Sequence, residues 1–217
     1  MDRRNFLSLL VASATLGGCA NSIVGRTLVK AAETSFGSSS AFNPDYPDKL
    51  PYASLAVMTK STPQALLILA KAEGGELHWM SSDRGVLVTR NGRLVRTVGL
   101  PENLLYTDFL KNDFFEAGHL PHAEASSVKR LVDMAPGNRY GILVESTLTR
   151  VRQEKIRIGR HEYDVMQFVE YCVAPQLSWE YANTYWVDAQ GMMWRSIQHV
   201  VPGMEPVEIE VTKPFRA

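Results

Sequence analysis

The most regular stretch of the chain is PVEIEVTKP, in which Val207, Ile209 and Val211 alternate with Glu208 and Glu210. A period of two sets the apolar side chains on one face of a strand and the carboxylates on the other. Short runs rich in β-branched and aromatic residues recur over 52–59, 65–72, 76–81, 86–90 and 93–98, and again over 140–151, 163–173, 179–187, 192–201 and 207–211. In VLVTRNGRLVRTV, Asn91-Gly92 supplies the two positive-φ positions of a type I′ turn, which predicts a hairpin. Residues 101–138 interrupt the series with Pro101, Pro121 and Pro136. Their mixed pattern predicts one helix over 103–110 and another over 125–134, a partly helical excursion from the sheet. About ten strands, mostly antiparallel because their connections are short, predict an all-β fold: a single barrel-like, half-barrel or sandwich domain, not a doubly wound sheet.

Ahead of these strands the pattern changes. Phe6 to Gly18 carries no charge over thirteen residues, whereas a membrane span needs about 20. The run has the length of a signal peptide's hydrophobic part, with Arg3-Arg4 before it and Gly17-Gly18 behind. Leu16-Gly17-Gly18-Cys19 resembles the lipobox of bacterial lipoproteins. That resemblance implies diacylglyceryl transfer to the Cys19 thiol, removal of residues 1–18, and acylation of the palmitate type. Asp2-Arg3-Arg4-Asn5-Phe6-Leu7 also resembles the twin-arginine export signature, so the route is Sec or twin-arginine. Two acyl chains suffice for stable anchoring. Ala20, in place of an aspartate, points by analogy with the enterobacterial sorting rule to the periplasmic face of the outer membrane. Ile23, Val24, Thr27, Leu28 and Ala31 then recur at helical spacing, and Gly37-Ser38-Ser39-Ser40 with Pro44, Pro47 and Pro51 reads as a spacer. Residues 19–50 are thus expected to form an anchored tether with a short N-terminal helix, and 51–217 the body.

Composition narrows the function. The 217 residues hold 23 basic and 23 acidic side chains, and losing Asp2, Arg3 and Arg4 with the signal barely alters the balance. Without a basic cluster the electrostatic drive for nucleic-acid binding is missing. With Cys19 lipidated only Cys172 remains, so no intramolecular disulfide is expected. Cys172 lies in the apolar run VEYCV and reads as a buried small hydrophobe. The chain has no Gly-x-Ser-x-Gly, His-Glu-x-x-His, Gly-rich phosphate loop or Cys-x-x-Cys, so no catalytic residue, metal or cofactor is assigned. His119, His122 and Glu124 lie close together in sequence, but Pro121 sits between the histidines and no third strong ligand is specified, so they read as a solvated loop. His78, His161 and His199 are scattered and read as surface or packing residues.

One strand gathers aromatics. Trp179, Tyr181 and Tyr185 share a face with Asn183, Trp186 faces the other way, and Trp194 lies on the next strand. Such rings fill β cores, the commoner role, or stack on the C–H faces of sugars. Trp179, Tyr181 and Tyr185 are therefore the candidate saccharide contacts.

LPYASLAV at 50–57, GVLVTRNGRLVRTVGLPENL at 85–104, NTYWVDAQGMMWRSIQ at 183–198 and PVEIEVTKP at 206–214 resemble, in order, the YjbF/GfcB family of exopolysaccharide and group 4 capsule lipoproteins. The resemblance is weakest over 105–160. It implies an outer-membrane lipoprotein with a mainly β, barrel-like body, working beside periplasmic and outer-membrane proteins of polysaccharide export, and it carries over no catalytic residue. A non-enzymatic accessory is expected. The rival is a polysaccharide-modifying or lipid-handling protein with a ligand in an interior cavity, and the interior of the body discriminates between them.

Overall fold

The computed structural model describes residues 46–111, 113–115 and 126–216. The expected signal peptide, Cys19 and the helix over 23–31 lie outside them, as do His119, His122 and Glu124. A single helical turn, α1 (Tyr46–Lys49), precedes β1 (Ser54–Met58), β2 (Ala65–Glu73), β3 (Glu76–Met80), β4 (Val86–Arg90) and β5 (Arg93–Val98). There follow β6 (Asn103–Phe109), β7 (Ser126–Ala135), β8 (Arg139–Ile158) and β9 (His161–Ala174), a 3-10 turn (Pro175–Leu177), then β10 (Trp179–Val187), β11 (Met193–Gln198) and β12 (Val207–Lys213).

All twelve strands belong to one antiparallel sheet in the order β5-β4-β3-β2-β1-β12-β11-β10-β9-β8-β7-β6. Strands adjacent in sequence are adjacent in space, and β12 returns to pair with β1, with Val57 opposite Ile209. The two lateral edges are β5 and β6, which follow each other in sequence. They meet across a seam held by side chains: the Leu104 amide donates to Thr97 Oγ1 at 3.0 Å, and the Leu100 amide to Asn103 Oδ1 at 3.1 Å. A nearly closed barrel results, which among the described residues leaves these two edges to protect.

The hairpin at Asn91-Gly92 forms as its sequence dictates, with φ of +50° and +80°. The helices expected over 103–110 and 125–134 do not form; those residues are β6 and β7. In β6 the pairing register shifts between Leu104 and Tyr106, so the buried Leu104 and Thr107 stand three apart, a helical spacing produced by a bulge. In β7 the buried positions are Val128, Arg130, Val132 and Met134, a strict period of two hidden in the sequence because an arginine occupies an inward site.

The largest apolar cluster joins β1–β5, β11 and β12 to the inward faces of β7–β10, through residues such as Leu55, Leu67, Trp79, Val144 and Ile209. A second surrounds Phe115, Phe168 and Tyr185, with ring centroids of Phe115 and Tyr185 4.9 Å apart. Trp186 faces away from Tyr185 into a third, with Ile156, Ile158 and Val165, and the neighbouring Trp194 stacks on Tyr163 at 3.7 Å.

Candidate functional site

Two places inside the body gather chemistry. The first is a buried polar clasp on β5, β7, β8, β9 and β10. Inward positions of β9 run Phe168, Glu170, Cys172, so the alternation that buries Phe168 also buries a carboxylate. Glu170 is fully enclosed. Its Oε1 accepts from Arg93 Nη2 at 2.6 Å and Arg130 Nη1 at 2.7 Å; its Oε2 accepts from the Tyr185 hydroxyl at 2.7 Å and Asn183 Nδ2 at 3.1 Å. Arg93 also pairs with Asp113, and Arg130 donates to the Tyr181 hydroxyl at 3.1 Å and to Ser146 Oγ at 3.3 Å. Two cations and two carboxylates therefore balance.

Burial would by itself raise the Glu170 pKa, but the guanidinia of Arg130 and Arg93 and the Tyr185 hydroxyl outweigh it and hold the carboxyl well below the usual range. Both arginines stay charged because the carboxylates outweigh the burial that opposes their charge. Burial pushes the Cys172 thiol up to about 11, which keeps it from acting as a thiolate. A void of about 20 Å³ borders Arg93, Arg130, Tyr181 and His199, room for about one water and none for a sugar ring.

The clasp contains two of the three candidate saccharide contacts. Trp179, Tyr181, Asn183 and Tyr185 do share one face of β10, and it is the inward face. Tyr185 is fully enclosed, Tyr181 nearly so, and Trp179, half-buried, stacks on Tyr181 at 3.9 Å. Only Trp179 keeps part of its ring open. Arg93, Arg130, Glu170 and Gln198 were not singled out from sequence. The available signal was a charged or amide side chain at the inward phase of a strand, as in Val128-x-Arg130-x-Val132 and Phe168-x-Glu170-x-Cys172. Gln198 fixes the β4–β5 hairpin to β11 by accepting from the Leu94 amide at 2.9 Å and donating to the Gly92 carbonyl at 3.0 Å. Of the scattered histidines, His78 lies 3.8 Å from Glu76, and burial lowers the pKa of His199. Among the described residues no group of three or more His, Cys, Asp and Glu could hold a metal ion.

The second place is a half-open cleft of about 590 Å³ at one end of the lumen, within the range of about 300–1,000 Å³ typical of small-molecule sites. Its wall is mostly apolar, formed by Leu55, Leu77, Trp79, Met192, Ile209 and Val211. Three turns frame its mouth: Gly74-Gly75, Asn91-Gly92 and Gln190-Gly191. Several polar groups along the wall are engaged with one another or with neighbours. Trp79 Nε1 donates to Thr89 Oγ1 at 2.8 Å, Ser196 Oγ accepts from Gln198 Nε2 at 2.9 Å, and Glu76 at the rim pairs with Arg90 at 2.7 Å. The interior is thus neither a uniformly sealed core nor a cavity lined by paired carboxylates.

The family described as "Group 4 capsule polysaccharide lipoprotein gfcB, YjbF" matches residues 29–212. Among curated proteins the chain is similar to the uncharacterised lipoprotein YjbF of Escherichia coli K12, 28% identical over 174 residues covering 76% of each chain. It is also similar to the uncharacterised lipoprotein GfcB of the same organism, 30% identical over 175 residues, covering 76% of this chain and 78% of that one. Among solved structures, the hypothetical lipoprotein YmcC from E. coli K12 superposes with a TM-score of 0.72 at 24% identity, covering 89% of this chain and 96% of that one. That superposition shares the fold.

Proposed function

Since the chain belongs to the YjbF/GfcB family of group 4 capsule polysaccharide lipoproteins, we propose that it is a non-catalytic accessory of exopolysaccharide or capsule assembly, tethered through Cys19 to the periplasmic face of the outer membrane. The observation that carries this reading is the family match, which begins at residue 29, ahead of the described body, and runs into β12. The clasp supports it. A carboxylate with four donors on it, two paired guanidinia and a thiol kept protonated form a structural joint, whereas a catalytic constellation needs a group poised to take or give a proton near neutral pH. The body's work is to present a rigid surface to the periplasmic and outer-membrane proteins of polymer export.

The test combines anchor and phenotype. Cys19→Ala is expected to move the protein from membranes to the soluble periplasm, to abolish fatty-acid labelling, and to reduce surface polymer while the thermal midpoint of the body is unchanged. Full surface polymer in a strain lacking the protein would rule out the accessory role; unlabelled, membrane-bound wild type would rule out the anchor.

The cleft favours a second reading, in which the body also holds a small ligand. Its mostly apolar wall argues against polysaccharide chemistry inside it, because sugar hydroxyls need hydrogen-bond partners when buried.

A further inference from the structure

The cleft raises the question of what fills it. A large apolar cavity open at one end is unfavourable to leave exposed to water, and Trp79, Thr89 and Ser196 on its wall already have polar partners. What suits it is an unbranched hydrocarbon, which asks for no hydrogen bonds.

The placement of the mouth narrows the source. β1 begins and β12 ends at this end of the barrel, where Ser54 pairs with Lys213 and Leu55 with Val211. The chain just ahead is tied to the same place, because Lys213 Nζ donates to the Leu50 carbonyl. Residues 20–49 lie between that point and Cys19. The described chain thus enters the body beside the mouth, on the same end of the barrel as the cleft.

We propose that this cleft binds one acyl chain of a membrane lipid, inserted past Met192 and the Gly74-Gly75 turn and lying along Leu55, Trp79 and Ile209. The protein's own acyl chains are the less suitable occupant. Each acyl chain withdrawn from the bilayer forfeits roughly 0.8 kcal/mol of anchoring per buried methylene, so seating one of them in the cleft would weaken the anchor. The cleft itself is independent of the accessory role; only the nearness of a membrane to it rests on Cys19 as anchor.

Tryptophan quenching tests the proposal, because Trp79 lies in the wall. The full chain carrying Cys19→Ala would be titrated in solution with dibrominated stearate. The lipidated protein would be placed in vesicles of phosphatidylethanolamine and phosphatidylglycerol doped with dibromostearoyl phosphatidylcholine. Saturable one-to-one quenching is expected in solution, and quenching in the vesicles. Ala72→Arg and Met192→Lys, at an exposed and a half-buried position of the mouth, put a charge on the path of the chain. Each is expected to weaken binding about tenfold or more, Ala72→Arg at an unchanged thermal midpoint, whereas Tyr171→Ala, an exposed ring away from the cleft, should bind as wild type.

Absence of saturable quenching, or binding by both mouth variants equal to that of wild type, overturns the proposal. Quenching of the soluble chain but not of the lipidated one would place the protein's own acyl chain in the cleft and overturn the membrane-lipid assignment. Quenching by a protein that proves dispensable for surface polymer would support the cleft and sink only the accessory role.

Discussion

Glu170 receives four donors from four side chains on three strands, so its removal leaves more than one group unsatisfied. Glu170→Gln keeps the shape but leaves Arg130 without a counter-ion and Arg93 with Asp113 alone, and breaking such a buried pair costs about 3–5 kcal/mol. A denaturant melt at neutral pH should show a loss of that size. The same group predicts a pH dependence. Its folded-state pKa is depressed, so its contribution is complete above the unfolded glutamate value of about 4.3, erodes below it, and is lost as pH falls through the folded value. Melts between neutral pH and pH 3 should therefore slope more steeply for wild type than for Glu170→Gln. Parallel curves would show that the carboxylate is not held ionised. Tyr181 is 9% exposed, stacks on Trp179 and accepts from Arg130. Tyr181→Ala should cost about 3–5 kcal/mol, on the scale of other buried aromatic truncations.

At the scale of the element, the Asn91-Gly92 turn is fixed twice over. Gly92 has φ of +80°, and a Cβ there would stand 2.6 Å from Met193 Sδ and 2.7 Å from Met193 Cβ. Gly92→Val therefore combines about 1–3 kcal/mol of backbone strain with about 1–3 kcal/mol of crowding. It also displaces the hairpin tip from the Gln198 side chain that holds it. Arg90→Ala, one residue before the turn, loses a partly exposed pair with Glu76 and should cost less than about 1 kcal/mol. Equal thermal midpoints for the two variants would refute this account of the turn.

For the whole molecule the decisive feature is the seam. β8 and β9 pair along nearly their full length and each has a second ladder partner, while β5 and β6 have one ladder partner each and meet through Thr97, Asn103 and the Arg93–Glu170–Arg130 clasp. Arg93 and Arg130 reach the same carboxylate from β5 and β7, strands on opposite sides of the seam, so the clasp holds the barrel shut where backbone pairing does not. Hydrogen exchange should be faster in β5 and β6 than in β8 and β9. Thr97→Val, which removes the acceptor of the buried Leu104 amide, should speed exchange in the seam strands, cost about 1–3 kcal/mol, and leave protection in β8–β9 unchanged. Uniform acceleration would mean that the barrel opens as one unit.

The sequence by itself determined the local structure wherever pattern and turn chemistry agreed: the clean alternation of β12, the hairpin at Asn91-Gly92, the common face of Trp179, Tyr181, Asn183 and Tyr185, and the family through motifs kept in order. It failed over β6 and β7, where a bulge imitated helical spacing and Arg130 broke an apolar alternation. Only the tertiary structure decided which face of β10 is inward, because a period of two says that two faces differ and not what each one meets. The closure of β12 on β1, the meeting of Arg93, Arg130 and Glu170 from strands far apart in sequence, and the cleft between β1–β4 and β11–β12 are likewise properties of the rolled sheet. A charged residue at an inward phase is costly in any one strand; it becomes stable only when closure brings its counter-ion to it, and no local stretch of the chain contains both partners.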